Sequence, residues 1–72
     1  MDYRTFARRL RQKRMQRGIS CRVLSELCGL SSGRVAMYEN GKCKDVKAST
    51  VIMLAEELGV STDWLLGVDK KT

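Results

Sequence analysis

The stretch that most restricts what this chain can fold into is Ser20 to Gly41, SCRVLSELCGLSSGRVAMYENG. It holds two short runs with helical spacing, one glycine between them and another at the end. Ser20 and Ser31 stand where a helix N-cap is wanted, because a serine hydroxyl accepts from the unpartnered N–H groups of a first turn. Gly29 and Gly41 stand where a helix end needs a residue tolerant of positive φ. In the first run Leu24, Leu27 and Cys28 share one face, with Ser25 beside them. A side chain as small as serine lets a following helix approach closely. The stretch therefore predicts two short helices, Ser20 to Gly29 and Ser31 to about Asn40, crossing at a steep angle.

The rest of the chain follows the same punctuation. Gly18, Gly59 and Gly67 also close runs of helical periodicity, no β-branched alternating run exists, and there is no proline. Five helices and an all-α domain over residues 1–68 follow, with 69–72 as a frayed tail. The first helix is expected from an Asp2 cap to about Arg17, with Tyr3, Phe6, Leu10 and Arg14 as its inner stripe. Arg14 is a cation on an inward face and requires a partner. In the third helix an inward Val35 brings Tyr38, Glu39 and Ser31 toward the core. Gly33, Ala36, Met37 and Asn40 then face outward, flanked by Ser32 and Arg34. That outward face is short, small and nearly uncharged, unlike an ordinary solvent-exposed face. An interior Gly33 would cost the helix roughly 1 kcal/mol against alanine, which close approach of another surface would explain. A fourth helix is expected from about Ala48 to Leu58, with Val51, Ile52, Leu54, Ala55 and Leu58 as core. Ser61 caps a last helix, TDWLL, whose Trp64 and Leu65 close the core, leaving Trp64 or Leu66 for a dimer contact.

Charge narrows the function. Of the net +6, all resides in the first thirty residues. There Arg4, Arg8, Arg9, Arg11, Lys13, Arg14, Arg17 and Arg22 face only Asp2 and Glu26, while the remainder is balanced. An excess this rich in arginine and concentrated on one helix is the electrostatic footprint of a nucleic-acid binder. The cations surround the helix, so only a subset can reach one ligand. The longest apolar run, Val51 to Ala55, is far too short to span a bilayer, and the first residues do not begin a signal peptide. Cys21, Cys28 and Cys43 are odd in number, lack CxxC spacing and have no histidine to join them. That argues against a zinc site and for a reducing cytoplasm. No acid-base pair, cofactor motif or small-molecule site is evident, so neither an enzyme nor a cofactor is expected. Seventy-two residues build only a small core, and a homodimer would add stability.

These residues resemble the Cro and phage-repressor type of helix-turn-helix, the XRE family. The likeness runs through KRMQRGIS, Leu24, Gly29, Val35, YENGK at 38–42 and LAEELGVSTDWLLG at 54–67. It implies a five-helix DNA-binding domain that binds a double-stranded operator, usually as a symmetric dimer, and regulates transcription, most often as a repressor. Ser31 to Asn40 would be the recognition helix in the major groove. Arg14 and Glu39 match a structural ion pair between the first and third helices. Ser32, Gly33 and Met37 match base-contacting positions, and Arg34 and Ala36 lie on the same face. Cys21 matches a position where the family often has Gln at the groove edge, where a thiol is a weaker donor. Lys42, Lys44 and Lys47 lie in a loop that grips phosphates in relatives, though relatives often carry a proline there. Arg11 and Arg22 complete the expected phosphate set. Two other readings stand beside this one. An antitoxin or adaptor module would use Val23, Leu27 or Trp64 on a protein partner, and a thiol-responsive regulator would use Cys21 and Cys43.

Overall fold

The computed structural model describes residues 3–68. Its helices are α1 (Tyr3–Arg17), α2 (Cys21–Leu27), α3 (Arg34–Glu39), α4 (Ala48–Leu58) and α5 (Thr62–Leu66). The fold class is the expected one, all-α with five helices and, among the described residues, no strand. The Asp2 cap and the 69–72 tail lie outside the described residues.

One core joins the five helices. Phe6 and Leu10 of α1 meet Leu24 and Cys28, Val35 and Tyr38, Val51, Leu54, Ala55 and Leu58, and Leu65 of α5. Phe6 and Tyr38 pack edge to face, with ring centroids 6.0 Å apart and planes at 64°, a favoured aromatic geometry. Three expected core positions lie elsewhere. Tyr3, Leu27 and Ile52 stand at the rims of their stripes and are exposed at 37%, 54% and 49%. Thr50 is buried in their stead.

The α2–turn–α3 unit shows why Ser25 has to be small. Its hydroxyl donates to the Cys21 carbonyl at 2.8 Å and accepts from the Val35 N–H at 3.2 Å. Ser25 is fully buried, so one side chain serves two helices in the dry contact between them. Ser20 caps α2 as expected, accepting from the Val23 N–H at 3.1 Å. At Gly29, φ of +68° turns the chain left-handed so that the Leu30 N–H reaches back to the Ser25 carbonyl at 2.8 Å, which is a Schellman closure.

The third helix is shorter than the sequence predicts. Ser31 does not cap it. The Ser31 carbonyl accepts from the Arg34 N–H at 3.0 Å, making residues 31–34 a tight turn, and Gly33 holds the N-cap position at φ −97°, ψ 2°. Gly33 has no side chain to cap with, and Ser25 performs that office from the preceding helix. Gly33 is thus not an interior helix glycine, and Asn40 is the C-cap rather than the last helical residue.

Candidate nucleic-acid interface

Arg14 and Glu39 come together as expected. Nε of Arg14 donates to Oε2 of Glu39 at 2.7 Å and Nη2 donates to Oε1 at 3.1 Å, a side-on bidentate pair. A third donor, Nη1, reaches the Ile19 carbonyl at 2.9 Å. The side chains are only 15% and 6% exposed, and the hydrogen bonds to Glu39 hold the guanidinium pKa above its usual value. This clamp sets the end of α3 against α1.

With its inner face fixed by Val35, Tyr38 and Glu39, α3 turns the opposite side outward. Ser32, Gly33, Met37 and Asn40 are exposed, and Ala36 is half-buried between them. These side chains offer one hydroxyl, one amide and a small apolar surface. Arg34 differs from the rest, because it is half-buried and its Nη1 donates to the Cys43 sulfur at 3.6 Å. The guanidinium leans along the helix toward the following loop.

That loop starts from a closed helix end. The Lys42 N–H bonds to the Met37 carbonyl at 3.0 Å, and the Cys43 N–H shares the same carbonyl at 3.3 Å. Lys42, Lys44 and Lys47 are all exposed along it, so the expected phosphate-gripping lysines present their ammonium groups to solvent. Arg11 is exposed and lines a cleft of about 780 Å3 with Lys44. Arg22 projects from α2 and makes an exposed i,i+4 pair with Glu26 at 3.5 Å, worth only a few tenths of a kcal/mol. It is readily redirected to a phosphate. Cys21 is the least available member of the set. It is half-buried on the first turn of α2, and burial and the nearby Glu39 hold its thiol protonated above the usual range.

The cations of α1 divide into those used by the fold and those that face outward. Arg9 lies over the Trp64 ring at 4.7 Å from its centroid and donates to the Trp64 carbonyl. Lys13 sits 5.4 Å from the same ring, and Arg17 donates to the Glu57 carbonyl at 2.8 Å. Trp64 is consequently half-buried under two cations rather than left bare. Arg4 and Arg8 line the same cleft as Arg11. Sequence reasoning did not assign them to the site, although their four- and three-residue steps were a usable signal. Among the described residues no three His, Cys, Asp or Glu side chains come together, and no helix is long and apolar enough to cross a membrane.

A buried serine link, two short helices in contact, a nearly uncharged outer helix face and basic residues around it define the helix-turn-helix class of DNA-binding regulators. The particular family is shown by comparison. A family model described as "Helix-turn-helix domain" matches residues 7–68, and the chain belongs to that family. Among solved structures, the fold is similar to the P22 c2 repressor protein, crystallised in complex with synthetic operator 9T in the presence of Tl+. The TM-score is 0.80 and the identity 23%, over 89% of this chain and 96% of that one.

Proposed function

We propose that this chain binds operator DNA as a transcriptional regulator, a repressor by preference, with α3 and the turn before it set in the major groove. The observation that carries the reading is the outer face of Ser32, Gly33, Ala36 and Met37, clear of large charged side chains and flanked by exposed cations. Ser32 can donate or accept at a base edge, and Gly33, Ala36 and Met37 suit thymine methyl groups. Arg34, held beside the loop by Cys43, serves a guanine at the edge of the reading face or the phosphate next to it. Arg11, Arg22, Lys42, Lys44 and Lys47 take phosphates, with Cys21 a minor contributor at the groove edge. Phosphate contacts fix register and base contacts fix sequence. So sparse a reading face gives modest direct discrimination, supplemented by DNA shape.

A symmetric dimer suits this reading. Ile52 is half exposed and borders an apolar recess of about 360 Å3 with Val46, Val51 and Leu66, and a second copy covering it would bury surface that a small core leaves bare. The setting is a reducing cytoplasm, in keeping with three free thiols.

The test separates the two kinds of contact. On a duplex selected from a random pool, Met37→Ala should change the ratio of affinities for the selected and a scrambled sequence, whereas Lys42→Gln should lower both by one factor. Equal effects of Met37→Ala on both sequences would remove α3 from base reading. A protein-binding role is favoured by one observation, the exposed Val23 and Leu27 on one side of α2. Charged substitutions there leave DNA affinity unchanged if that side meets a protein.

A further inference from the structure

Arg34 opens α3, and its side chain does not follow the reading face. Its Nη1 donates to the Cys43 sulfur at 3.6 Å, across to the loop that leaves the helix. Both ends of this contact are anchored. Arg34 is half-buried at the first helical position, and the Cys43 N–H bonds back to the Met37 carbonyl at 3.3 Å. The Cys43 thiol has a single hydrogen, which the sulfur donates to the Asp45 carbonyl at 3.9 Å. The sulfur lone pairs are thereby left to accept from Arg34.

A carboxylate in that place would hold the guanidinium and cancel its charge. A thiol is a weak acceptor, so it holds the group and leaves the charge. Among the described residues Arg34 makes no ion pair, with Asp45 or with any other acid. Cys43 stands between Lys42 and Lys44, both exposed, so the contact lays a third cation along the same edge. Direction matters as much as charge. A bidentate contact to guanine needs two N–H groups of the fork aimed at one base edge, and here one nitrogen is turned aside to sulfur. A phosphate accepts from whichever donors remain.

We propose that Arg34 contacts a backbone phosphate and that Cys43 is its positioning residue, which shapes DNA binding without touching DNA. The inference rests on the DNA-binding reading above and decides between the two targets open to Arg34. Base reading is then left to Ser32, Gly33, Ala36 and Met37. Ordering a side chain as free as arginine at an interface lowers affinity by about two- to tenfold. A guanidinium already held at the loop avoids most of that loss.

The test is a salt titration of binding to a duplex selected from a random pool with the wild-type chain, and to a scrambled one. It is repeated for Arg34→Gln, Cys43→Ala, Cys43→Ser and the double variant Arg34→Gln/Cys43→Ala. Arg34→Gln should lower the slope of log K against log salt by about one and weaken both duplexes by the same factor. Cys43→Ala should weaken both by about two- to tenfold at an unchanged slope, because the charge stays and only its order is lost. In the Arg34→Gln background Cys43→Ala should weaken binding no further, a result that a merely structural role for Cys43 would not give. Cys43→Ser keeps a donor and an acceptor and should keep the wild-type affinity. A changed ratio of the two affinities with Arg34→Gln makes Arg34 a base reader and overturns the proposal. Equal weakening by Cys43→Ala in both backgrounds makes Cys43 a support of the loop alone and also overturns it. Either result leaves the DNA-binding reading intact, since the wild type still binds. Absence of salt-dependent binding by the wild type to any duplex overturns both readings together.

Discussion

Arg14 holds Glu39 by both carboxylate oxygens, at 2.7 and 3.1 Å, across the contact between α1 and the last residue of α3. The pair is nearly dry, so its worth lies in the penalty for breaking it. Replacing one partner leaves a buried charge unmatched, at about 3–5 kcal/mol. A single core of this size supplies only about that much net stability. Glu39→Ala is therefore expected to leave the chain largely unfolded at 25 °C, by circular dichroism and urea titration, with DNA binding lost in consequence. Replacing both residues by methionine should cost much less, because no charge is then stranded.

Ser25→Ala should destabilise by about 1–3 kcal/mol, because the Val35 N–H would lose its only side-chain cap inside a contact closed to water. Urea unfolding measures it. A loss below a few tenths would mean that α3 does not depend on α2 for its cap.

Two glycines should respond in opposite ways. A Cβ at Gly67 would lie 2.7 Å from Cγ2 of Thr5, at a residue with φ of +74°. Gly67→Ala is expected to cost more than 1 kcal/mol through strain and collision. A Cβ at Gly33 meets nothing within 4 Å, and φ there is negative. Gly33→Ala should change stability by less than about 1 kcal/mol, yet weaken DNA binding if this turn lies against a base pair. Thermal melts and fluorescence anisotropy together decide the point.

The two Gly33 expectations also mark where the sequence was legible. The boundaries of α2 and α5 and the end of α4 follow from Ser20, Ser61 and the glycines that end each run, since these signals act within a few residues. The start of α3 does not, because its cap comes from Ser25, ten residues earlier and visible only once the helices cross. Periodicity puts Arg14 and Glu39 on inward arcs and requires a partner for Arg14, while the family resemblance is what pairs them. Which cations of α1 the fold itself engages is not legible, because nothing local shows that carbonyls of α5 and α4 receive Arg9 and Arg17. Leu27 and Ile52 sit at the rims of their stripes, where spacing cannot say which neighbour arrives to cover them.

Stability should fall in mild alkali. Burial raises the pKa of the Cys28 thiol and of the Tyr38 hydroxyl, and burial with the nearby Glu39 raises that of Cys21. A raised folded pKa contributes stability that is fully present below the unfolded value and lost as pH rises through the folded one. The unfolded thiol titrates near pH ~8.5 and the phenol near ~10, so the decline begins just above pH ~8.5. The urea midpoint should drop between pH 7.5 and 9.5, and more gently in Cys28→Ala. A midpoint that rises over this interval would contradict the burial of these groups. By the same burial, Cys28 should resist alkylation at neutral pH until the domain unfolds.

The central claim is that a helix-turn-helix ringed by exposed cations holds duplex DNA. The most direct measurement is the affinity of the wild-type chain for DNA flanking its own gene, followed by anisotropy from ~50 to ~200 mM salt. Log K should fall linearly with log salt with a slope of several units, and that duplex should be bound more tightly than a scrambled one. The absence of salt-sensitive binding to any duplex would contradict it.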